Sequence, residues 1–242
     1  MSNPLIQVQG LATGGQVLTG EITPPSVGVN DYTARVVPGA EATPAGSTPV
    51  TVTEIVTGAS VPRKYGAAAD WVIGQEGARY GLKAQRNSGY SHKTLLPATA
   101  KTVFAVVKHN GTTGNADMLN FGGISLIKFG NQWRFIGSGT LAGATFSTAA
   151  NQVQVLTLAV RGSKTLVIGA DGTPHTANAV PTPSQVFELG TFSGYQESAA
   201  GCMIFDALMY ERELTDTEIL TVRQALQAAW NAAPVGGITW AS

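Results

Sequence analysis

The sequence predicts an all-β protein: an antiparallel β-sandwich of two packed sheets with one C-terminal α-helix and an extended β-rich N-terminal arm. Three observations carry that prediction. Short runs rich in β-branched and aromatic residues recur along most of the 242 residues, divided by glycine- and asparagine-containing turns. One segment near the C-terminus has the periodicity of an amphipathic helix. The first 62 residues contain a single aromatic side chain, Tyr32, which sets their texture apart from the rest of the chain.

In residues 1–62 the β-prone runs Leu5–Val8, Gln16–Leu18, Tyr32–Val37 and Val50–Val56 alternate with Gly-Gly, Pro-Pro, Pro-Gly and Pro-Ala-Gly breaks. So little bulky apolar material does not make a core of its own. The segment reads as an arm or small β appendage that gains order by packing on a neighbour. The alternative is that its strands complete the sheets of the main unit, residues 63–232, which precedes a short tail at 233–242.

Strands are then expected at Trp71–Ile73, Tyr80–Ala84, Thr102–Lys108, Met118–Phe121, Ser125–Phe129, Trp133–Ile136, Val153–Arg161, Thr165–Ile168 and Phe187–Leu189. Turn signals divide them, among them Asn110-Gly111, Gly122-Gly123 and Gly162-Ser163. The continuous apolar runs Val103–Val107 and Val155–Val160 predict central strands covered on both faces. A last strand, Cys202–Tyr210, leads into the helix. There Thr215 and Glu218 fit a capping box, with Leu214 and Ile219 as the hydrophobic staple. Ile219, Val222, Leu226 and Trp230 form one apolar stripe, and Pro234 and Gly236-Gly237 stop the helix.

Composition excludes several function classes. Lys and Arg number 15 against 15 Asp and Glu, so no general attraction to nucleic acid or an anionic membrane is built in. Cys202 is the one cysteine, which rules out an intrachain disulfide and a multi-cysteine zinc site. The N-terminus reads as no secretory signal, and no apolar run reaches the ~18 residues of a membrane span. A surface this poor in charge, at 12% charged residues, suits a protein that buries area in an assembly.

Four stretches resemble successive strands of concanavalin A-like (laminin-G-like) jelly-roll domains: TVFAVVK at Thr102–Lys108, MLNFGG at Met118–Gly123, VLTLAVRGSKTLVIGADG at Val155–Gly172 and FDALMYERELTDTEI at Phe205–Ile219. The last contains Tyr210, Arg212, Leu214, Thr215 and Glu218, similar to that family's closing pattern. The resemblance covers residues 65–230. It implies two antiparallel sheets with the final helix capping one edge.

Such folds host glycosidases, lectins and structural modules alike, so function has to come from sites. The E-x-D-x-E strand of the family's glycosidases is missing; Glu211 and Glu213 are a close pair but read as solvated edge residues. Asn115 and Asp117 read as turn formers rather than calcium ligands. His92, His109 and His175 have no metal-ligand spacing, and no cofactor is called for. Sugar rings stack on exposed aromatic side chains, which makes Tyr90 with His92, Trp133 and Tyr195 the candidate glycan or partner contacts, Trp133 with the competing reading of a core residue. The expectation is a non-enzymatic structural protein: a phage virion component, in the capsid or tail, assembled in the host cytoplasm. It would join other virion subunits or copies of itself through the arm, display a jelly roll to cell-surface glycans, and bind neither nucleic acid nor membrane. A free carbohydrate-binding module is the alternative, and a glycoside hydrolase or lyase the third.

Overall fold

The computed structural model describes residues 24–39, 45–67, 70–77, 79–87, 91–96, 99–136, 145–147, 150–169, 171–178, 180–190 and 199–232. The expected strands Leu5–Val8 and Gln16–Leu18, the tail, Tyr90 and Tyr195 lie outside the described residues. Sixteen strands and one helix are present among the described ones. In chain order they are β1 Ala34–Val36, β2 Thr51–Thr53, β3 Ser60–Tyr65, β4 Trp71–Glu76, β5 Arg79–Ala84, β6 Ser91–Leu95, β7 Thr102–Lys108 and β8 Ala116–Phe121. Then come β9 Ile124–Phe129, β10 Gln132–Ile136, β11 Thr145–Ser147, β12 Val153–Arg161, β13 Lys164–Ile168, β14 Pro174–Ala177, β15 Val186–Leu189, β16 Met203–Tyr210 and α1 Asp216–Trp230.

The strands make two antiparallel sheets, the all-β sandwich expected. The first is ordered β14-β13-β12-β7-β16-β5-β4, and the second β11-β10-β9-β8-β15-β6-β3-β2. β7 and β12 have the bounds the apolar runs predict. Val103, Ala105 and Val107 enter the core between the sheets, while Phe104 and Val106 face the layer beneath α1. This two-sided burial is why the runs are unbroken. β3, β6, β11 and β14 were not legible, because sequences such as SHKTL and PHTA carry no apolar alternation.

Segment 24–62 is paired into both sheets. β16 has β7 along one edge; its other edge is shared, with β5 opposite Met203 and Ile204 and β1 opposite Ala207 to Met209. Between the two lies a β-bulge at Phe205, since Ile204 pairs with Val107 but Asp206 with Val106. The extra residue reverses the alternation: Met203 and Phe205 face α1, and from Ala207 onward the odd-numbered residues face the inter-sheet core. The bulge thereby aims Asp206 at the helix side. There it accepts from Arg35 Nε at 3.0 Å, Arg35 Nη2 at 2.5 Å and the Trp230 indole N–H at 2.9 Å. Arg35 and Asp206 are both buried, a charge pair made tolerable by its bidentate geometry and by the carbonyl of Pro25, which takes a further guanidinium N–H at 2.7 Å. On β2's side, Glu54 accepts the backbone N–H of Arg35 at 2.8 Å and orders the turn after it through Thr57.

The closing motif is a second clamp on the same segment. The Tyr210 hydroxyl donates to the carbonyl of Val29 at 2.7 Å, and Arg212 forks between Asp31 and Glu218. Thr215 caps α1 in the expected box: its hydroxyl accepts the N–H of Glu218, whose carboxylate accepts the N–H of Thr215. Leu214, Ile219, Val222, Leu226 and Trp230 are all buried in the layer between α1 and the first sheet, each apolar side chain contributing roughly 1.5–3 kcal/mol by burial. α1 ends at Trp230, with Asn231 in the left-handed conformation as its cap, before the proline and glycines expected to stop it. Arg223 is the residue the stripe did not reveal. Fully buried, it reaches through the layer to donate to the Thr157 hydroxyl at 2.9 Å and the Gly169 carbonyl at 2.6 Å, riveting α1 to β12 and the end of β13.

Candidate functional site

An open groove of about 360 Å3 lies on the helix-bearing side of the first sheet. That volume lies in the range of small-ligand clefts, roughly 300–1,000 Å3. It is built from three elements: the β4–β5 hairpin, the residues entering β12, and the C-terminus of α1. Glu76, Arg79, Asn151, Gln152 and Asn231 line it with polar side chains, and the buried Val153 and Ala232 supply its apolar part.

Each polar side chain is set by a local cause. Gly77, at φ 60, lets the chain reverse between Glu76 and Arg79. The hairpin is then tied across the sheet, because Lys108 Nζ on β7 lies 2.6 Å from the Glu76 carboxylate, although β16 and β5 intervene. Arg79 Nη1 donates to the carbonyl of Asn231 at 3.4 Å. The last turn of α1 has no basic residue of its own, so this hairpin cation faces the negative end of the helix dipole. Asn151 and Asn231 both take positive φ, 60 and 44, a backbone state asparagine tolerates better than most residues. Asn151 is held by its N–H, which donates to the carbonyl of His109 at 2.9 Å.

Behind Asn151 lies a buried polar support. His109 Nδ1 accepts the N–H of Gly111 at 2.8 Å, so the ring proton sits on Nε2 and is directed at the Gly130 carbonyl 3.1 Å away. Burial, the largest cause, lowers the pKa of this imidazole from its ordinary value and favours that neutral form. Lys128 is buried too. Its ammonium donates to the Thr112 hydroxyl at 2.9 Å and the Gly114 carbonyl at 2.6 Å, and burial pulls its pKa down. The Cys202 thiol is pushed up to about 11, first by burial, which makes it a packed hydrophobe rather than a nucleophile.

The aromatic candidates fall elsewhere. Trp133 is a core residue, fully buried beside Phe135 between the sheets, its indole N–H donating to Gln154 Oε1 at 2.8 Å. His92 is likewise fully buried, on β6, with β9, β8 and β15 between it and Trp133 on β10. Neither presents a ring face to a ligand: Trp133 follows its core reading, while His92, expected beside Tyr90 as a contact, is covered by its strand's place in the sandwich. Glu211 and Glu213 are exposed, as expected, and Glu213 accepts the N–H of Gly162 at 3.0 Å. Asn115 accepts the N–H of Gly130 from the distant β9–β10 turn, and Asp117, expected in a turn, is buried within β8. Among the described residues no cluster of three or more His, Cys, Asp or Glu side chains is placed to hold a metal ion. The groove residues were not legible in advance, since Asn151, Gln152 and Asn231 read as ordinary turn and cap residues.

Two stacked antiparallel sheets define the β-sandwich class, and it is this fold that solved structures share. No family model matches the chain, and no curated protein matches it in sequence. Among solved structures it is similar to Trypanosoma rangeli sialidase in complex with 2,3-difluorosialic acid, at 15% identity and TM-score 0.56, over 84% of this chain and 34% of that one. The same sialidase in complex with sialic acid matches at 12% identity and TM-score 0.53, over 93% and 36%. A mutant of HCR/D matches at 12% identity and TM-score 0.57, over 80% and 51%. The chain thus spans about a third of the sialidases' length and half of HCR/D, and the likeness is one of fold. These neighbours have β-sandwich folds related to jelly-roll lectin-like domains. The expectation of a non-enzymatic protein is corrected here, because the neighbours include enzymes. The missing E-x-D-x-E strand was too narrow a ground for it, since tertiary structure can bring carboxylates together from separate strands.

Proposed function

We propose that this chain is a glycan-binding β-sandwich module. The observation that carries the reading is the groove between the β4–β5 hairpin and the end of α1. Its exposed amide side chains each offer both donors and acceptors, which is what sugar hydroxyls require, and Asn151 is tied to the hydrogen-bonded His109 beneath it. The fold supports the reading at the coarser level, through neighbours that include a sialidase solved with sialic acid. The virion component expected from the sequence rests on the charge-poor arm, the N-terminus that reads as no secretory signal and the jelly-roll resemblance, and none of the solved neighbours named above is a virion protein. No helix among the described residues is long and apolar enough to cross a membrane.

The test is a glycan array probed with the full chain, followed by titration calorimetry on the best ligands. Binding in the millimolar-to-micromolar range, about −4 to −8 kcal/mol, is the expected result. Asn151→Ala with Gln152→Ala should weaken it about tenfold or more. Tyr90→Ala with Tyr195→Ala tests the stacking contacts expected from the sequence. An array without signal, under conditions where the chain is folded, would overturn the proposal.

A further inference from the structure

The charges around the groove do not balance, although those of the whole chain do. Glu76 is the only carboxylate among the described residues that line it. Against it stand Arg79 in the lining and Lys108, which bridges to Glu76. Lys83 adds a third cation, because the register Lys108–Met203–Lys83 puts both lysines on the same side of the sheet. Once Glu76 and Lys108 cancel, Arg79 and Lys83 remain.

Arg79 is the one placed to act. Among the described residues it has no ion-pair partner, and its contact to the Asn231 carbonyl is long at 3.4 Å. A guanidinium presents its N–H groups as a fork that fits a carboxylate or sulfate in two parallel hydrogen bonds. The partial negative charge at the end of α1, about half an elementary charge, offsets only part of this excess. We propose that the groove takes a glycan bearing an oxyanion, a carboxylate or a sulfate, gripped by Arg79 while Asn151 and Gln152 hold the ring hydroxyls. This rests on the glycan-binding reading and narrows it to a ligand class.

Calorimetry on the full chain with matched pairs tests it: sialyllactose and sulfated lactose, each against lactose, and a galacturonic acid trisaccharide against galactotriose. The acidic member of at least one pair should bind about tenfold tighter. Which pair responds separates carboxylate from sulfate. Raising salt from about 0.05 to 0.5 M should erode the difference, since the groove is open to solvent. Arg79→Gln should abolish the preference. Glu76→Gln removes the opposing charge and should strengthen binding of the acidic member, whereas a merely structural role for this bridge would weaken it. Equal affinities across all three pairs, or an acidic preference that survives Arg79→Gln, overturn the anionic ligand but leave the glycan module standing. Failure of every saccharide, on the array as well, overturns both.

Discussion

Asp206 is where several parts of the molecule meet: a strand bulge, the guanidinium of Arg35 and the indole of Trp230 all depend on one buried carboxylate. Replacing it with alanine strands Arg35 as an uncompensated buried charge. Asp206→Ala should therefore cost about 3–5 kcal/mol in urea unfolding, while the double change Arg35→Met with Asp206→Leu should recover much of that. A small loss in the single variant would mean that water reaches the pair. His92 gives a second prediction at this scale. Burial, the largest cause, lowers its pKa from 6.5 to about 4, opposed in part by a hydrogen bond with the backbone at Pro49. The unfolded chain thus takes up a proton near pH 6.5 that the folded chain refuses until about pH 4. The contribution to stability is complete above pH 6.5 and is lost as pH falls through that window. Urea midpoints measured from pH 7 to 4 should decline, and His92→Gln should flatten the decline; an unchanged slope would assign it to other groups, His109 first.

The helix is the element whose formation is most local. Thr215, Glu218, Leu214 and Ile219 lie within six residues, and the capping interactions among them are short-range. Thr215→Ala should cost about 1 kcal/mol in the same unfolding assay. Glu218 belongs to the cap and to the Arg212 fork at once. The hydrogen bond from Arg212, the leading cause, holds its pKa down at about 2, so this support is present above pH 4.5 and is lost only as pH falls toward 2. Acid loss between pH 6.5 and 4.5 is therefore expected from His92 rather than from the clamp. These locally determined features were legible in the sequence, as were β7 and β12, whose largely apolar runs predict burial on both faces. The polar strands β3 and β6 were not. Nothing in SVPRKY or SHKTL points to one face, and their place in the sheet comes from neighbours far along the chain.

At the scale of the whole molecule, segment 24–62 and the last forty residues are interdependent. β1 fills the half of β16's edge that β5 leaves, Tyr210 and Arg212 hold residues 29–31, and Arg35 pairs with Asp206. Removal of residues 1–62 should leave a chain without cooperative thermal unfolding. A truncated protein that still melts in one sharp transition would show that the pairing among β4–β16, rather than this clamp, carries the stability. The groove belongs to this scale too. Its hairpin and helix end are 152 residues apart in the chain at the Arg79–Asn231 contact, and that contact and the Lys108–Glu76 bridge span different elements.

The sequence by itself determined the class of fold, the capped helix and its buried stripe, and the central strands, because propensity, periodicity and capping act over a few residues. The tertiary structure alone decided that His92 is interior, that a bulge turns Asp206 toward Arg35, and that an asparagine-lined groove exists. Those outcomes depend on which distant segments share an edge or a face, and side-chain spacing along the chain carries no record of that.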